Sequence, residues 1–175
     1  MKVQFRKGEG RRYYMRVTRE RGPALAERQG PGYDDDLPHD LVHFVVEAEA
    51  GLTAGVFGQV AAGRNQIFWP EDKTKIRKQN RRDAKAQPLS GSGEDMRRSE
   101  LLTTICTHLW QVRTGRRGRL PHGYEALAAS ESDAALIARI VNRLDERARA
   151  WRSLPPGGSR TLTWPDTPPP KRRSR

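Results

Sequence analysis

Two histidines, His39 and His43, stand four residues apart, and an acidic residue, Asp40, directly follows the first. This spacing puts both imidazoles on one face of a helix, one turn apart, where they can share one metal ion. Metalloproteases with a His-Glu-x-x-His motif use the same spacing to hold zinc while a carboxylate polarises the bound water. The residues therefore predict a site for zinc or another divalent metal, with His39 and His43 as ligands. Asp40 and Glu47 are the candidate catalytic groups, and hydrolysis is the reaction expected of a single open zinc site.

The helix that positions these groups is predicted from Pro38 to Ala50. Pro38 suits a first helical position, where its missing N–H costs nothing. The aspartates at 34–36 precede it and are expected to cap the helix and meet the positive end of its dipole. At about 100° per residue, most of the helix circumference is apolar. The remaining polar stripe is narrow and consists of His39, Asp40, His43 and Glu47.

A third metal ligand is expected from outside this helix. Glu47 lies eight residues from His39, about 12 Å along the helix axis, whereas oxygen and nitrogen ligands lie only about 2.0–2.2 Å from zinc. All three side chains would reach one ion from one straight helix only with strain. The candidates for the third ligand are Asp34, Asp35, Asp36, His122 and Glu100.

The polar stripe also has two alternative interpretations that do not involve a metal. One is acid–base chemistry without a metal, and the other is a structural stripe in which His43 is hydrogen-bonded to an acid such as Glu47. Composition favours a site, because residues 29–63 contain no Lys or Arg in a chain that has 33 of them. An ordinary exposed stripe in so basic a protein would be expected to use Lys and Arg.

The segment His39-Asp40-Leu41-Val42-His43 resembles the HDxxH motif of the small zinc-binding proteins of ubiquinone biosynthesis. That resemblance covers five residues and implies zinc on His39 and His43. In that family a Glu follows the second His at the position that Gly55 takes here. The segments PHDLVHFVVE and FGQVAAG also resemble a group of uncharacterised actinobacterial proteins, which share the opening hairpin and the later Phe-Trp pair. This second resemblance covers most of the chain and implies no function.

The net charge of +12 makes polyanions the expected partners, namely RNA, DNA or a ribosome. The alternative is an arginine-rich protein that binds none of them. The most basic segment, residues 71–86, has Ile76 as its only large apolar residue, so packing cannot hold it as a helix. It is interpreted as a solvated linker or as a phosphate-binding arm that orders on contact. Its candidate nucleic-acid-binding residues are Lys73, Lys75, Arg77, Lys78, Arg81, Arg82 and Lys85.

Further basic stretches lie at 113–119 and at 166–175, and both extend the predicted phosphate-binding surface. Phe68 and Trp69, just upstream of the basic segment, could stack on bases, although burial of both in the core is the expectation. No RNA-recognition, zinc-finger or helix-turn-helix signature accompanies these segments.

The remaining elements predict an α+β fold with a small antiparallel sheet packed on four to five helices. Alternating apolar residues on both sides of Gly8-Glu9-Gly10 predict an N-terminal hairpin, and residues 161–164 predict a C-terminal strand that joins it. Further helices are predicted over 54–62, 94–113, 121–129 and 130–151.

Residues 1–165 are predicted as one domain that contains a basic, flexible linker at 71–93, and residues 166–175 as a disordered tail.

The single cysteine, Cys106, excludes an internal disulfide framework and fits a reducing compartment. The sequence has no run of 18 apolar residues, so no membrane partner is expected and the predicted location is the cytoplasm. The oligomeric state is not indicated.

Overall fold

Four strands and five helices make up the part of the chain that a computed structural model describes, residues 1–31, 36–124, 126 and 133–165. The strands are β1 Lys2–Lys7, β2 Tyr13–Thr18, β3 Arg28–Gln29 and β4 Ser159–Thr163. The helices are α1 His39–Ala50, α2 Val56–Ala61, α3 Ile76–Lys85, α4 Ser92–Arg113 and α5 Ala134–Arg152. A single 3₁₀ turn, Lys73–Lys75, leads into α3. The predicted α+β fold is therefore confirmed.

The sheet is antiparallel, with strand order β3-β2-β1-β4. Val3 in β1 faces Val17 in β2 on one side and Leu162 in β4 on the other, so the C-terminal strand joins the hairpin as predicted. Successive side chains of a strand point to opposite faces, and the apolar residues of β1 and β2 are accordingly buried on the face that the helices cover. The short strand β3 was not predicted; its Arg28 and Gln29 pair with β2, and the preceding Leu25 forms an isolated bridge with Pro70.

Helix α1 lies at the centre of the helical layer and packs against α2, α4 and α5. Phe44 fixes it on the sheet, because its ring contacts the rings of Phe5, Phe57 and Trp164 edge-on at centroid distances of 6.1, 5.1 and 5.4 Å. Residues 40–47 are all buried. This burial accounts for the lack of Lys and Arg at residues 40–47 without invoking a site, since a buried position has no room for a solvated cation.

The ends of α1 differ from the prediction at one point. Gly51 ends the helix in the left-handed conformation, with φ of 69°, which glycine adopts without steric cost. At the other end no side chain caps the helix. Asp36 instead accepts two hydrogen bonds of 2.7 Å from the Arg116 guanidinium and one of 3.3 Å from Arg152. The other two aspartates, at 34–35, lie outside the described residues.

The basic segment predicted as a linker is largely helical. Asp83 of α3 accepts hydrogen bonds from the Asn65 backbone N–H at 3.4 Å and from the Gln79 amide at 2.9 Å. The Asn65 contact attaches α3 to the turn before it, and the Gln79 contact lies within α3 itself. Residues 125 and 127–129 of the helix predicted at 121–129, and all of the tail predicted at 166–175, lie outside the described residues.

Candidate functional site

The polar stripe of α1 faces other elements instead of solvent. His43 and Glu47 contact α4, and Asp40 contacts β2. His39 alone is exposed, whereas Asp40, His43 and Glu47 are 7, 6 and 0 % exposed. The structure thus brings together His39, His43 and Glu47 along one line and directs Asp40 to a separate partner.

The carboxylate of Glu47 caps helix α2. Its Oε1 accepts the backbone N–H of Val56 at 3.0 Å, and its Oε2 accepts that of Phe57 at 2.9 Å. These are N–H groups of the first turn of α2, which have no partner within the helix and which favour a negative charge. Burial nevertheless dominates and raises the pKa of Glu47 to about 7, while the hydrogen bonds it accepts act in the opposite direction.

Gly55 makes this cap possible. A Cβ atom at position 55 would lie only 2.5 Å from Cδ and 2.6 Å from Oε2 of Glu47. Any side chain there would push the carboxylate away from the N-terminus of α2. The cap of α2 by Glu47 therefore depends on the close approach that a glycine at position 55 permits.

Ser99 links Glu47 to His43. The Ser99 hydroxyl donates to Glu47 Oε1 at 3.1 Å. The hydroxyl oxygen of Ser99 also lies 3.1 Å from His43 Nδ1. The Thr103 hydroxyl lies 3.3 Å from the same nitrogen. His43 therefore reaches the acid through a hydroxyl, where the sequence-based structural interpretation had a direct bond. Burial lowers the pKa of His43 to about 4, with the adjacent His39 as the next cause, so the imidazole is neutral at pH 7.

The second nitrogen of His43, Nε2, lies 3.9 Å from Oε2 of Glu100, whose side chain is 67 % exposed. The rings of His39 and His43 have centroids 4.7 Å apart. Of the predicted third ligands that lie in the described residues, Glu100 contacts the histidine pair, whereas Asp36 is hydrogen-bonded to arginines. No group of three or more His, Cys, Asp or Glu side chains within the described residues is arranged to hold a metal ion.

Asp40 belongs to a separate contact. Its Oδ2 accepts a hydrogen bond of 2.5 Å from the Tyr13 hydroxyl, and that hydroxyl accepts the Asp40 backbone N–H at 3.3 Å. Burial raises the pKa of Tyr13, and the Asp40 carboxylate raises it further, so the phenol stays protonated and donates. This pair fastens the start of α1 to β2, which gives Asp40 a positioning role in the fold.

The predicted nucleic-acid-binding residues form an exposed face on α3. At about 100° per residue, five cations of α3 fall within an arc of about 140°, opposite the buried Gln79 and half-buried Asp83. All five are exposed, and none has an acidic partner among the described residues. They are Arg77, Lys78, Arg81, Arg82 and Lys85, and this set is called the cationic face below. Lys73 and Lys75 precede it in the 3₁₀ turn, where Lys75 pairs with Asp72 at 3.2 Å.

Three arginines of the second basic stretch, 113–119, make contacts within the protein, and one of them, Arg117, donates to the Gln111 side chain at 3.3 Å. Arg113 donates to the Asn142 side chain at 2.6 Å and to the Val141 carbonyl at 2.8 Å. Arg116 forms the paired hydrogen bonds with Asp36 and lies over the Trp110 ring at 4.7 Å. Arg113 and Arg116 join the C-terminal end of α4 to α5 and to Asp36 before α1, whereas the cationic face of α3 makes no such contacts within the described residues.

Of the two aromatic residues before α3, only Phe68 is buried as expected. Phe68 is 0 % exposed, whereas Trp69 is 57 % exposed. The expectation that both lie in the core is therefore wrong for Trp69. The segment is extended here, so Phe68 and Pro70 point inward while Trp69 and Glu71 point outward.

Ser99, Thr103 and Tyr13 were missed as members of the polar site. The signal for the first two was present, because Ser99 and Thr103 stand one turn apart on the apolar face of α4, beside Cys106 and Trp110. A hydroxyl on a buried helix face requires a polar partner. Tyr13 likewise shares the inward face of β2 with Met15, so its hydroxyl also required one.

Comparison with protein-family models, with curated proteins and with solved structures finds no match for this chain. Within the described residues, no helix combines the length and the apolar character needed to cross a membrane.

Proposed function

We propose that this protein binds nucleic acid through the cationic face of α3, by contacts to phosphates. The observation that carries the proposal is that five exposed cations share one side of a helix and have no acidic partner among the described residues. Several arginines elsewhere in the described chain are paired with acids, as Arg143 is with Glu49 and Glu146 at 3.1 and 2.8 Å.

The geometry suits a linear polyanion. Arg77, Arg81 and Lys85 follow one another at four-residue intervals, so they are spaced about 6 Å apart along the helix axis. Arginine and lysine both bind phosphate, the first with a fork of N–H groups and the second as a point charge. Contacts of this kind carry no base specificity and make binding steeply dependent on salt.

The test is fluorescence anisotropy with labelled RNA and DNA over a salt series. The key variant changes Arg77, Arg81 and Lys85 to Gln. If each had bound one phosphate, the slope of log K against log salt becomes less steep by about 2 for single strands and by about 3 for duplex DNA.

The matched control removes the same charge from α5 by changing Arg139, Arg143 and Arg149 to Gln. These side chains are already paired with Glu49, Glu146 and Asp145, so the slope should stay close to that of the parent protein. Equal loss in both triple variants would mean that only total charge matters. Absence of binding at low salt would refute the proposal outright.

A second candidate function, divalent-metal binding by His39 and His43, is supported by the orientation of His43. Metal-binding histidines usually donate their other ring N–H to a carboxylate or another acceptor. When Glu47 is ionised it accepts from Ser99, and the Ser99 oxygen can then accept from Nδ1–H of His43. That tautomer leaves the lone pair on Nε2, the nitrogen that lies toward Glu100.

In this candidate, His39 and His43 hold zinc or a similar ion, and Glu100 or water completes its coordination. This candidate requires a change of rotamer at His39 and Glu100, both of which are exposed. Asp40 and Glu47 are occupied by Tyr13 and by α2, so this candidate assigns them to positioning the site.

Elemental analysis of untagged protein and zinc titration by calorimetry test the metal site. Changing His39 to Ala should abolish stoichiometric binding while the protein stays folded. Changing His122 to Ala, at an exposed turn, should leave binding unchanged. A parent protein that binds no metal at neutral pH would refute this candidate and leave the histidines with a structural role.

A further inference from the structure

We propose that Trp69 is a stacking platform for bases of single-stranded nucleic acid, an inference that rests on the proposed binding of phosphates by α3. Within the described residues, Trp69 is the only large hydrophobic side chain that is exposed to solvent, with 57 % of its surface accessible. The other three tryptophans, Trp110, Trp151 and Trp164, are only 2, 2 and 6 % exposed. An indole that remains in solvent while the others are buried is available for a partner.

The backbone around Trp69 is held in place on both sides. The Trp69 carbonyl accepts the Ala26 N–H at 2.9 Å, and the Glu71 N–H donates to the Ala24 carbonyl at 2.9 Å. Between these bonds Pro70 forms an antiparallel bridge with Leu25. The indole therefore projects from a fixed segment, and a base that stacks on it meets little cost of ordering the backbone.

The platform is connected to the cationic helix by a short, hydrogen-bonded turn. The Asn65 N–H donates to Asp83 of α3 at 3.4 Å, and the Asn65 carbonyl accepts the Phe68 N–H at 2.8 Å. Four residues span at most about 14 Å, so the Cα atoms of Asn65 and Trp69 lie within that distance. This is the length of about four nucleotides at 3.4 Å each. Asp83 lies on the side of α3 opposite the cationic face, so a strand must also pass around a helix that is about 10–12 Å across. A strand of roughly eight nucleotides is long enough to contact both features.

The combination of an exposed indole and unpaired cations discriminates between forms of nucleic acid. Proteins that bind single strands combine a positive surface for the backbone with aromatic rings on which bases stack. In a duplex the faces of the bases are already stacked on one another, so only the phosphates remain for α3 to contact. The inference is thus a preference for single strands that depends on Trp69 and not on the sequence of bases.

The experiment measures anisotropy of a labelled oligonucleotide of about 12 nucleotides, a length within the range that single-strand-binding domains cover, alone and annealed to its complement. Trp69→Ala should weaken single-strand binding by roughly 10- to 100-fold. It should leave duplex affinity and the salt slope unchanged. Trp69→Phe should recover much of the loss, and intrinsic fluorescence of the parent protein should be quenched by the single strand but not in Trp69→Ala.

The outcomes separate this inference from the proposed function. If Trp69→Ala binds single strands as tightly as the parent, while the α3 variant is weakened, the platform is refuted and phosphate binding stands. If Trp69→Ala weakens both forms equally, the residue has no stacking role. If neither form is bound, both proposals fail. If anionic phospholipid vesicles quench Trp69 and nucleic acid does not, the partner is a membrane surface and the inference is overturned.

Discussion

The buried pair Glu47 and His43 should contribute to stability with opposite dependences on pH. Burial raises the pKa of Glu47 from 4.5 to about 7. Between these two values the folded protein holds a proton that the unfolded chain releases. The contribution of Glu47 to the free energy of unfolding is therefore fully present below pH 4.5 and is lost as pH rises to about 7.

The contribution of His43 to the free energy of unfolding changes with pH in the opposite direction. Burial lowers its pKa from 6.5 to about 4, so between these values the unfolded chain holds a proton that the folded protein excludes. Its contribution is therefore present above pH 6.5 and is lost as pH falls to about 4. Each shift corresponds to about 3 kcal/mol, taking 1.36 kcal/mol for one pKa unit. Because the two windows overlap, the contributions should largely cancel in the parent protein between about pH 4.5 and 6.5.

Replacing one of the two residues should make visible the pH dependence of stability that the other contributes. In His43→Asn, stability should fall by about 3 kcal/mol as pH rises from 4.5 to 7, because only Glu47 remains. In Glu47→Gln, stability should rise by a similar amount between pH 4 and 6.5. The measurement is urea unfolding at a series of pH values with a chelator present, and each variant is compared with the parent to remove the contribution of surface groups.

Glu100→Gln is the control for charge near His43. Glu100 is largely exposed, so its variant should follow the parent curve. If the curve of His43→Asn instead ran parallel to that of the parent from pH 4.5 to 7, the coupling of burial to protonation described here would be wrong.

Three further substitutions test the local contacts. Gly55→Ala should lower the free energy of unfolding by about 2 kcal/mol or more, because its Cβ collides with Glu47; Gly93→Ala, where no atom lies within 4 Å of the added Cβ, should change it little. Arg19→Gln should lower it by about 2–3 kcal/mol, since the half-buried guanidinium donates to four acceptors, three of them main-chain carbonyls. Asp133→Ala should cost about 1 kcal/mol through loss of the N-cap of α5. Urea unfolding at constant pH measures all three, and values near zero would contradict these assignments.

The sequence predicted those features that depend on local periodicity. The alternation of Val3 and Phe5, and that of Tyr13 and Met15, predicted the hairpin, and the apolar circumference around Phe44 predicted a central helix. These patterns identify the face that an element buries, and burial was confirmed for both.

The features that depend on tertiary approach could not be predicted in this way. Glu47 was considered as a catalytic group, but its partners are determined by the close approach of α2 at Gly55. Ser99 is 52 residues away from Glu47, on a different helix. Trp69 and Phe68 are both hydrophobic, and only the extended backbone decides that one points inward and the other outward.

The position of β4 beside β1 has a consequence for synthesis of the chain. The Gln4 side chain donates to Ser159 across 155 residues of sequence, so one edge of β1 stays open until β4 has been made. At about 5–20 residues per second this takes roughly 10–30 s. The hairpin itself can form in microseconds, so during that time β1 presents unpaired backbone N–H and C=O groups to any other extended chain nearby. The interval ends when Leu162 comes to lie opposite Val3.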